Sequence, residues 1–124
     1  MKAIENMSDK QHDFGSLVCI YSQLLPRIRV AGKELGYAIA IHGTMGRDLD
    51  LLAVPWTEDA ADALELVKVI SDAVGGYVVG DSVDECGHVS DHPTKQPHGR
   101  MSWNICWGGR AFIDLSIMPR KSRE

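Results

Sequence analysis

The sequence has no long apolar run and only three cysteines. A membrane-spanning helix needs about 20 mostly apolar residues in a row, and no stretch of this chain approaches that length, so no membrane partner is expected. The cysteines are odd in number and irregularly spaced, which argues against a disulfide framework. Cys19 and Cys106 lie within apolar patterns and are expected to be reduced core residues. Because the N-terminus also lacks the apolar region of a secretory signal, we expect a cytoplasmic protein.

A basic excess is missing as well. The chain has 13 Lys and Arg against 17 Asp and Glu, a formal net charge of −4. Nucleic-acid surfaces usually carry a basic excess, so the net charge does not support a nucleic-acid partner, although one stays open. A length of 124 residues suits one domain with its own core. We expect a flexible polar N-terminus at 1–12, a single domain at 13–119 and a basic tail at 120–124.

Apolar spacing predicts two helical regions. The first runs from Phe14 to Ile28, with Pro26 inside it either as a kink or in the first turn of a second helix. Gly36 is expected to end that region at the position that follows the last helical residue. The second helical stripe ends at residues 75–76, and Thr57 is its expected N-cap.

The strand pattern completes the fold prediction. Gly108 and Gly109 have the composition of a two-residue hairpin turn, and a polar loop is expected at 82–99. Strands are predicted at 37–41, 48–54, 77–79, 101–107 and 110–118. This order predicts an α/β (α+β) domain, with a mixed central sheet of about five strands and helices packed on at least one face.

Three carboxylates stand out against this pattern. Asp48 and Asp50 are two positions apart on one predicted strand, so they point to the same face. Asp114 is the only charge in the apolar strand at 112–117, where an unpaired charge is rare. If the two strands pair, the three carboxylates converge, and such hard oxygen ligands suit Mg²⁺ or Mn²⁺. Such a cluster can hold two cations about 4 Å apart for in-line phosphoryl transfer. The alternative is that Asp48 and Asp50 form salt bridges with an arginine at position 47, 100 or 110.

The turn before Asp48 adds a candidate phosphate contact. Gly43 lets the backbone approach a phosphate closely, and the Thr44 hydroxyl and the following N–H groups can donate to its oxygens. Arg47 can add positive charge. These features follow one another as an apolar strand, Gly-Thr, Asp-Leu-Asp and a later strand with a third Asp. This order resembles that of the nucleotidyltransferase superfamily, which has the DNA polymerase beta fold. Within it, 42–56 and 97–100 are similar to small proteins encoded by phages and prophages, which would place this chain in a host cytoplasm.

The resemblance implies a transferase that moves a nucleoside monophosphate from an NTP to an acceptor hydroxyl, with pyrophosphate leaving. Asp48, Asp50 and Asp114 would be the metal and catalytic carboxylates, with Asp114 closest to the attacking oxygen. Gly43 and Thr44 would correspond to the Gly-Ser element of the superfamily. The NTP is the expected substrate, whereas the sequence does not identify the acceptor or the preferred base.

One departure keeps a second function open. Only three residues separate Thr44 from Asp48, too few for the short helix that the superfamily usually has there. The alternative is a catalytically inactive module of the same fold that binds a nucleotide, a nucleic acid or a protein partner. A phosphatase with an aspartyl nucleophile fits less well, because its apolar strand would precede Asp-x-Asp. No second domain is evident, so an acceptor surface would come from the 82–99 loop or from another subunit of a homo-oligomer.

That loop contains Cys86, His88, His92 and His98. Its spacing matches no common zinc motif, so a zinc site, a polar surface loop and a contribution to the active site all stay open. In the third interpretation His98 and Arg100 lie at the mouth of the site and contact phosphate or acceptor, since the guanidinium fork matches phosphate oxygens.

Overall fold

The computed structural model describes residues 2–80, 83, 85–86, 88–90, 94–108 and 111–120, with side chains described from residue 17 onward. The elements in chain order are α1 (Lys2–Glu34), β1 (Tyr37–His42), β2 (Asp48–Pro55), α2 (Ala63–Val74), β3 (Tyr77–Val79), β4 (Thr94–Lys95), β5 (Met101–Gly108) and β6 (Ala111–Ile117). A 3₁₀ turn, Pro97–Gly99, precedes β5. The α+β class predicted from the sequence is confirmed.

Among the described residues, the strands form one mixed sheet of six strands, in the order β1-β2-β6-β5-β3, with β4 paired to β5. Only β2 and β6 run parallel among these pairs, and the others are antiparallel. The sequence predicted about five strands and missed β4, because two exposed residues within a polar loop carry no periodicity. The β5–β6 hairpin is present, but Gly109 and Arg110 lie outside the described residues, so the turn type stays a prediction.

The two faces of the sheet differ. Alternate residues of β2 and β6, such as Leu49 and Leu115, are completely buried on the face that α1 and α2 cover. The residues between them, including Asp50 and Asp114, are half-buried on the opposite face. The largest fully buried side chains of the core are Trp103, Tyr21, Ile28, Leu49, Leu51 and Leu66. The carboxylates therefore lie on the face away from the described helices.

The ends of α2 correct one prediction. Asp62, not Thr57, is the N-cap, and its side-chain oxygen accepts a hydrogen bond from the Glu65 amide at 2.9 Å. An acidic cap with Glu three residues later has the spacing of a capping box. Thr57 instead belongs to the turn after β2, where its amide donates to the carbonyl oxygen of Gly36 at 3.2 Å. The predicted end of the helix is confirmed by the left-handed conformation of Gly75.

Helix α1 is continuous through Pro26, which is exposed, so a second helix does not start there. Gly36 follows it with a φ of 86°, as predicted for a helix end. The helix extends back to Lys2, although the predicted flexibility of residues 1–12 stays a prediction. Cys106 is buried as expected, but Cys19 is exposed because it lies off the stripe that faces the sheet. Within the described part of the chain, no helix is both long and apolar enough to cross a membrane.

Candidate functional site

The parallel pairing of β2 with β6 aligns Asp50 directly with Asp114. Paired strands lie about 4.8 Å apart, so these two side chains stand next to each other on the same face. Asp48 precedes Asp50 by two residues on that face and is aligned with Phe112. The strand pairing that the predicted cluster required is therefore present, and it brings all three carboxylates into one region.

The three carboxylates interact electrostatically. The pKa of Asp114 is raised above its ordinary value, first by burial and then by the charges of Asp50 and Asp48. His42 and Arg100 act in the opposite direction and lower that pKa by smaller amounts. Burial and like charge both disfavour the ionised form. The site therefore has an excess of negative charge that a bound cation would relieve.

Register places further polar side chains in line with the central pair. His42 of β1 is aligned with Asp50, and Asn104 of β5 is aligned with Asp114. A row of four polar residues thus crosses four neighbouring strands, with both outer members exposed. His42 begins the 42–56 segment that carries the resemblance but was given no role of its own, and Asn104 was not predicted as a site residue. The alternation of β5 could have indicated Asn104, since it lies between the two buried residues Trp103 and Ile105.

The turn at 43–47 lies against this row. It contains no helix, as its length predicted, and two of its residues, Gly43 and Met45, have φ values of 80° and 59°. A Cβ atom at Gly43 would lie 3.0 Å from Oδ2 of Asp50, so glycine permits a close approach of the turn to that carboxylate. The Gly46 amide donates to Oγ1 of Thr44 at 3.2 Å. The predicted Gly-Thr element is therefore next to the carboxylates.

Tyr21 connects helix α1 to the base of the site. Its side chain is fully buried, and its hydroxyl donates to the carbonyl oxygen of Arg47 at 2.6 Å. The same hydroxyl accepts from the amide of Phe112 at 3.2 Å. Burial and the charges of Asp48 and Asp50 raise its pKa, while the bond from Phe112 lowers it. In the sequence Tyr21 is one of the apolar positions of the first predicted helical region, and this spacing does not reveal the partners of its hydroxyl.

The remaining predicted residues divide into two groups. Arg100 is half-buried, donates from Nη1 to the carbonyl oxygen of Pro97 at 3.0 Å, and acts on Asp114 as stated above. Its neighbour His98 is exposed, with a φ of 65°. The Arg47 side chain is exposed beside Asp48. The structure therefore associates Arg100 with Asp114, whereas the contributions of Arg47 and His98 stay predictions.

The zinc interpretation of the loop stays a prediction. Cys86 and His88 are exposed, whereas His92 lies outside the described residues. In the described side-chain positions, no three His, Cys, Asp or Glu residues are arranged to hold a metal ion. The same finding applies to the carboxylate cluster: the side chains of Asp48, Asp50 and Asp114 would have to rotate toward one another to share a cation.

The chain matches no protein-family profile, and no curated protein or solved structure is significantly similar to it.

Proposed function

We propose that this protein is a metal-dependent nucleotidyltransferase that transfers a nucleoside monophosphate from an NTP to an acceptor hydroxyl. The single observation that carries this proposal is the parallel alignment of Asp50 with Asp114, with Asp48 on the same face of β2. The resemblance of the Gly-Thr and Asp-Leu-Asp segments to the nucleotidyltransferase superfamily supports the same activity. The proposal locates the protein in the cytoplasm, where NTPs are available.

The donor set fits a hard divalent cation. Asp48, Asp50 and Asp114 offer only carboxylate oxygens, which Mg²⁺ and Mn²⁺ prefer. All three are at least partly accessible, so a cation from solvent can reach each carboxylate. When bound, the cation would neutralise charge on the triphosphate and on the leaving pyrophosphate.

The residues of the chain have distinct tasks in this proposal. Asp114 is the carboxylate closest to the attacking hydroxyl and accepts its proton. Gly43 and Thr44 contact the phosphates through backbone amides and the Thr44 hydroxyl. Arg47 and Arg100 supply positive charge to the triphosphate, which the net negative charge of the carboxylates would otherwise repel. His98 contacts phosphate or acceptor at the rim of the site.

One observation favours a second candidate, a catalytically inactive module that binds a nucleotide, a nucleic acid or a protein partner. The turn between Thr44 and Asp48 has no helix. Without a helix N-terminus the triphosphate loses one source of aligned N–H donors. In this candidate the carboxylates bind a cation without positioning an NTP for transfer.

The deciding experiment measures pyrophosphate release from each NTP with Mg²⁺ or Mn²⁺ and a panel of hydroxyl acceptors. A double variant with Asp48→Asn and Asp50→Asn keeps the side-chain shapes and removes both charges. The matched control is Asp59→Asn, which removes one exposed carboxylate beyond the end of β2. We expect release by the wild type and the control, and none by the double variant.

Release that survives the double substitution would contradict the catalytic proposal. Metal-dependent thermal stabilisation of the wild type without turnover would favour the binding module. The absence of both responses would contradict the proposed metal site.

A further inference from the structure

We propose that Tyr21 is a positioning residue that sets the separation of β2 and β6 where they carry the carboxylates, an inference that rests on the proposed function. The tyrosine lies on α1, outside the sheet. It touches the strands through the two hydrogen bonds of one hydroxyl group. Those bonds connect the residue just before β2 to the second residue of β6.

The two groups that Tyr21 bridges are ordinarily partners of each other. In the slanted bonding of parallel strands, an amide bonds to the carbonyl that precedes its aligned residue. Phe112 is aligned with Asp48, and Arg47 is the residue that precedes Asp48. The phenol hydroxyl is therefore inserted at the end of the β2–β6 ladder, where it accepts from one strand and donates to the other.

This insertion holds the strand ends apart. With hydrogen bonds of 2.6 and 3.2 Å meeting at a roughly tetrahedral oxygen, the Arg47 oxygen and Phe112 nitrogen are about 5 Å apart, against about 2.9 Å for a direct bond. Asp48 is adjacent to the first group, and Asp114 is two residues beyond the second. The hydroxyl consequently controls how far Asp48 stands from Asp114, which is the distance a shared cation must span.

Tyr37 provides a matched control. It is also buried, at 3% exposure, and its hydroxyl donates to a backbone carbonyl, that of Ala61, at 2.7 Å. It is aligned with Pro55, at the opposite end of β2 from Asp48. Tyr37→Phe therefore removes an equivalent hydroxyl from the core without altering the strand ends at the carboxylates.

The experiment titrates the full-length wild type, Tyr21→Phe and Tyr37→Phe with Mn²⁺, at a temperature where all three are folded. We expect the wild type and Tyr37→Phe to bind with Kd values within about twofold, and Tyr21→Phe to bind about tenfold more weakly or worse, as for other residues that orient metal ligands. Equal Kd values for both variants would overturn the role of Tyr21 and leave the proposed function intact. Absence of Mn²⁺ binding by the wild type would overturn the metal site, and with it this role.

A measurement on the wild type covers the case in which Tyr21→Phe does not fold. Saturating Mg²⁺ should slow hydrogen exchange of the Phe112 amide, because a cation held by both strands also restrains the strand ends that the hydroxyl bridges. Unchanged exchange at that amide in protein saturated with Mg²⁺ would overturn the role of Tyr21.

Discussion

Replacing Asp114 with asparagine removes one of three like charges from a half-buried site. Asn keeps the shape of the side chain, so the main change is electrostatic. We expect Asp114→Asn to be more stable than the wild type at neutral pH without divalent cations. On the proposed function Mg²⁺ stabilises the wild type, and we expect the variant to lose most of that stabilisation.

The expected gain in stability follows from the pKa of Asp114, which is higher in the folded protein than its ordinary value of 3.8. An acid whose pKa rises on folding binds its proton more tightly in the folded state. Stability contributed by this group is therefore greatest below pH 3.8 and falls as the pH rises through the folded pKa. Above that pKa the ionised carboxylate opposes folding, and asparagine removes this opposition.

The magnitude can be worked out from the register. Asp50 and Asp114 are aligned on neighbouring strands, and unit charges about 5 Å apart repel by about 1 kcal/mol in water-like surroundings. The water-like value applies because Asp114 is only half-buried. A gain of about 1 kcal/mol corresponds to a rise in Tm of about 4 °C for a domain of this size.

The assay is thermal and urea unfolding of the wild type, Asp114→Asn and the exposed control Asp59→Asn, from pH about 3 to about 7. The difference in the free energy of unfolding between wild type and Asp114→Asn should be close to zero at the acid end of this range and reach its full value at the neutral end. Asp59→Asn should follow the wild type throughout. An Asp114→Asn variant that is less stable than the wild type at neutral pH, in buffer with chelator, would refute the reasoning.

Two further predictions concern the frame that carries the site, and both are read by the free energy of unfolding in urea. Gly36→Ala should cost about 2 kcal/mol or more, because its Cβ would lie 2.2 Å from Oγ1 of Thr57 at a φ of 86°. The control Gly75→Ala, with a φ of 70° and no neighbour within 4 Å, should cost clearly less. Equal costs would show that the contact with Thr57 is irrelevant. Asp62→Ala should cost about 1 kcal/mol through loss of the bond from the Glu65 amide, and Asp62→Asn should restore most of it; a neutral Asp62→Ala would count against the cap.

Residues with strong local signals could be placed from the sequence. Short apolar segments predicted β2 and β6, the two-residue spacing of Asp48 and Asp50 placed both on one face, and the lone charge of Asp114 in an apolar strand indicated that it needed a partner. Glycines at 36 and 75 marked the helix ends correctly. In each case the signal lies within a few residues of the feature that it predicts.

Other features depend on contacts that no local pattern contains. Tyr21 is indistinguishable in sequence from any other residue of the apolar stripe, since its hydroxyl partners come from two distant strands. Thr57 was a reasonable N-cap by residue type, but in the folded chain its amide donates to the carbonyl of Gly36, and Asp62 caps α2. His42 and Asn104 join the carboxylate row only through strand register, which is set by pairing across the whole sheet.

The hydrogen bonds of the Tyr21 hydroxyl join distant parts of the chain, and this affects the order of events in folding. Tyr21 and Phe112 are 91 positions apart in the chain, and parallel pairing of β2 with β6 also joins distant segments. Contacts of such high sequence separation form slowly, because a long loop must close before they are made. A folding intermediate that contains α1 or the β5–β6 hairpin alone would lack the aligned carboxylates. If the proposed function is correct, cation binding followed in time during refolding should therefore appear only with the last phase and report completion of the sheet.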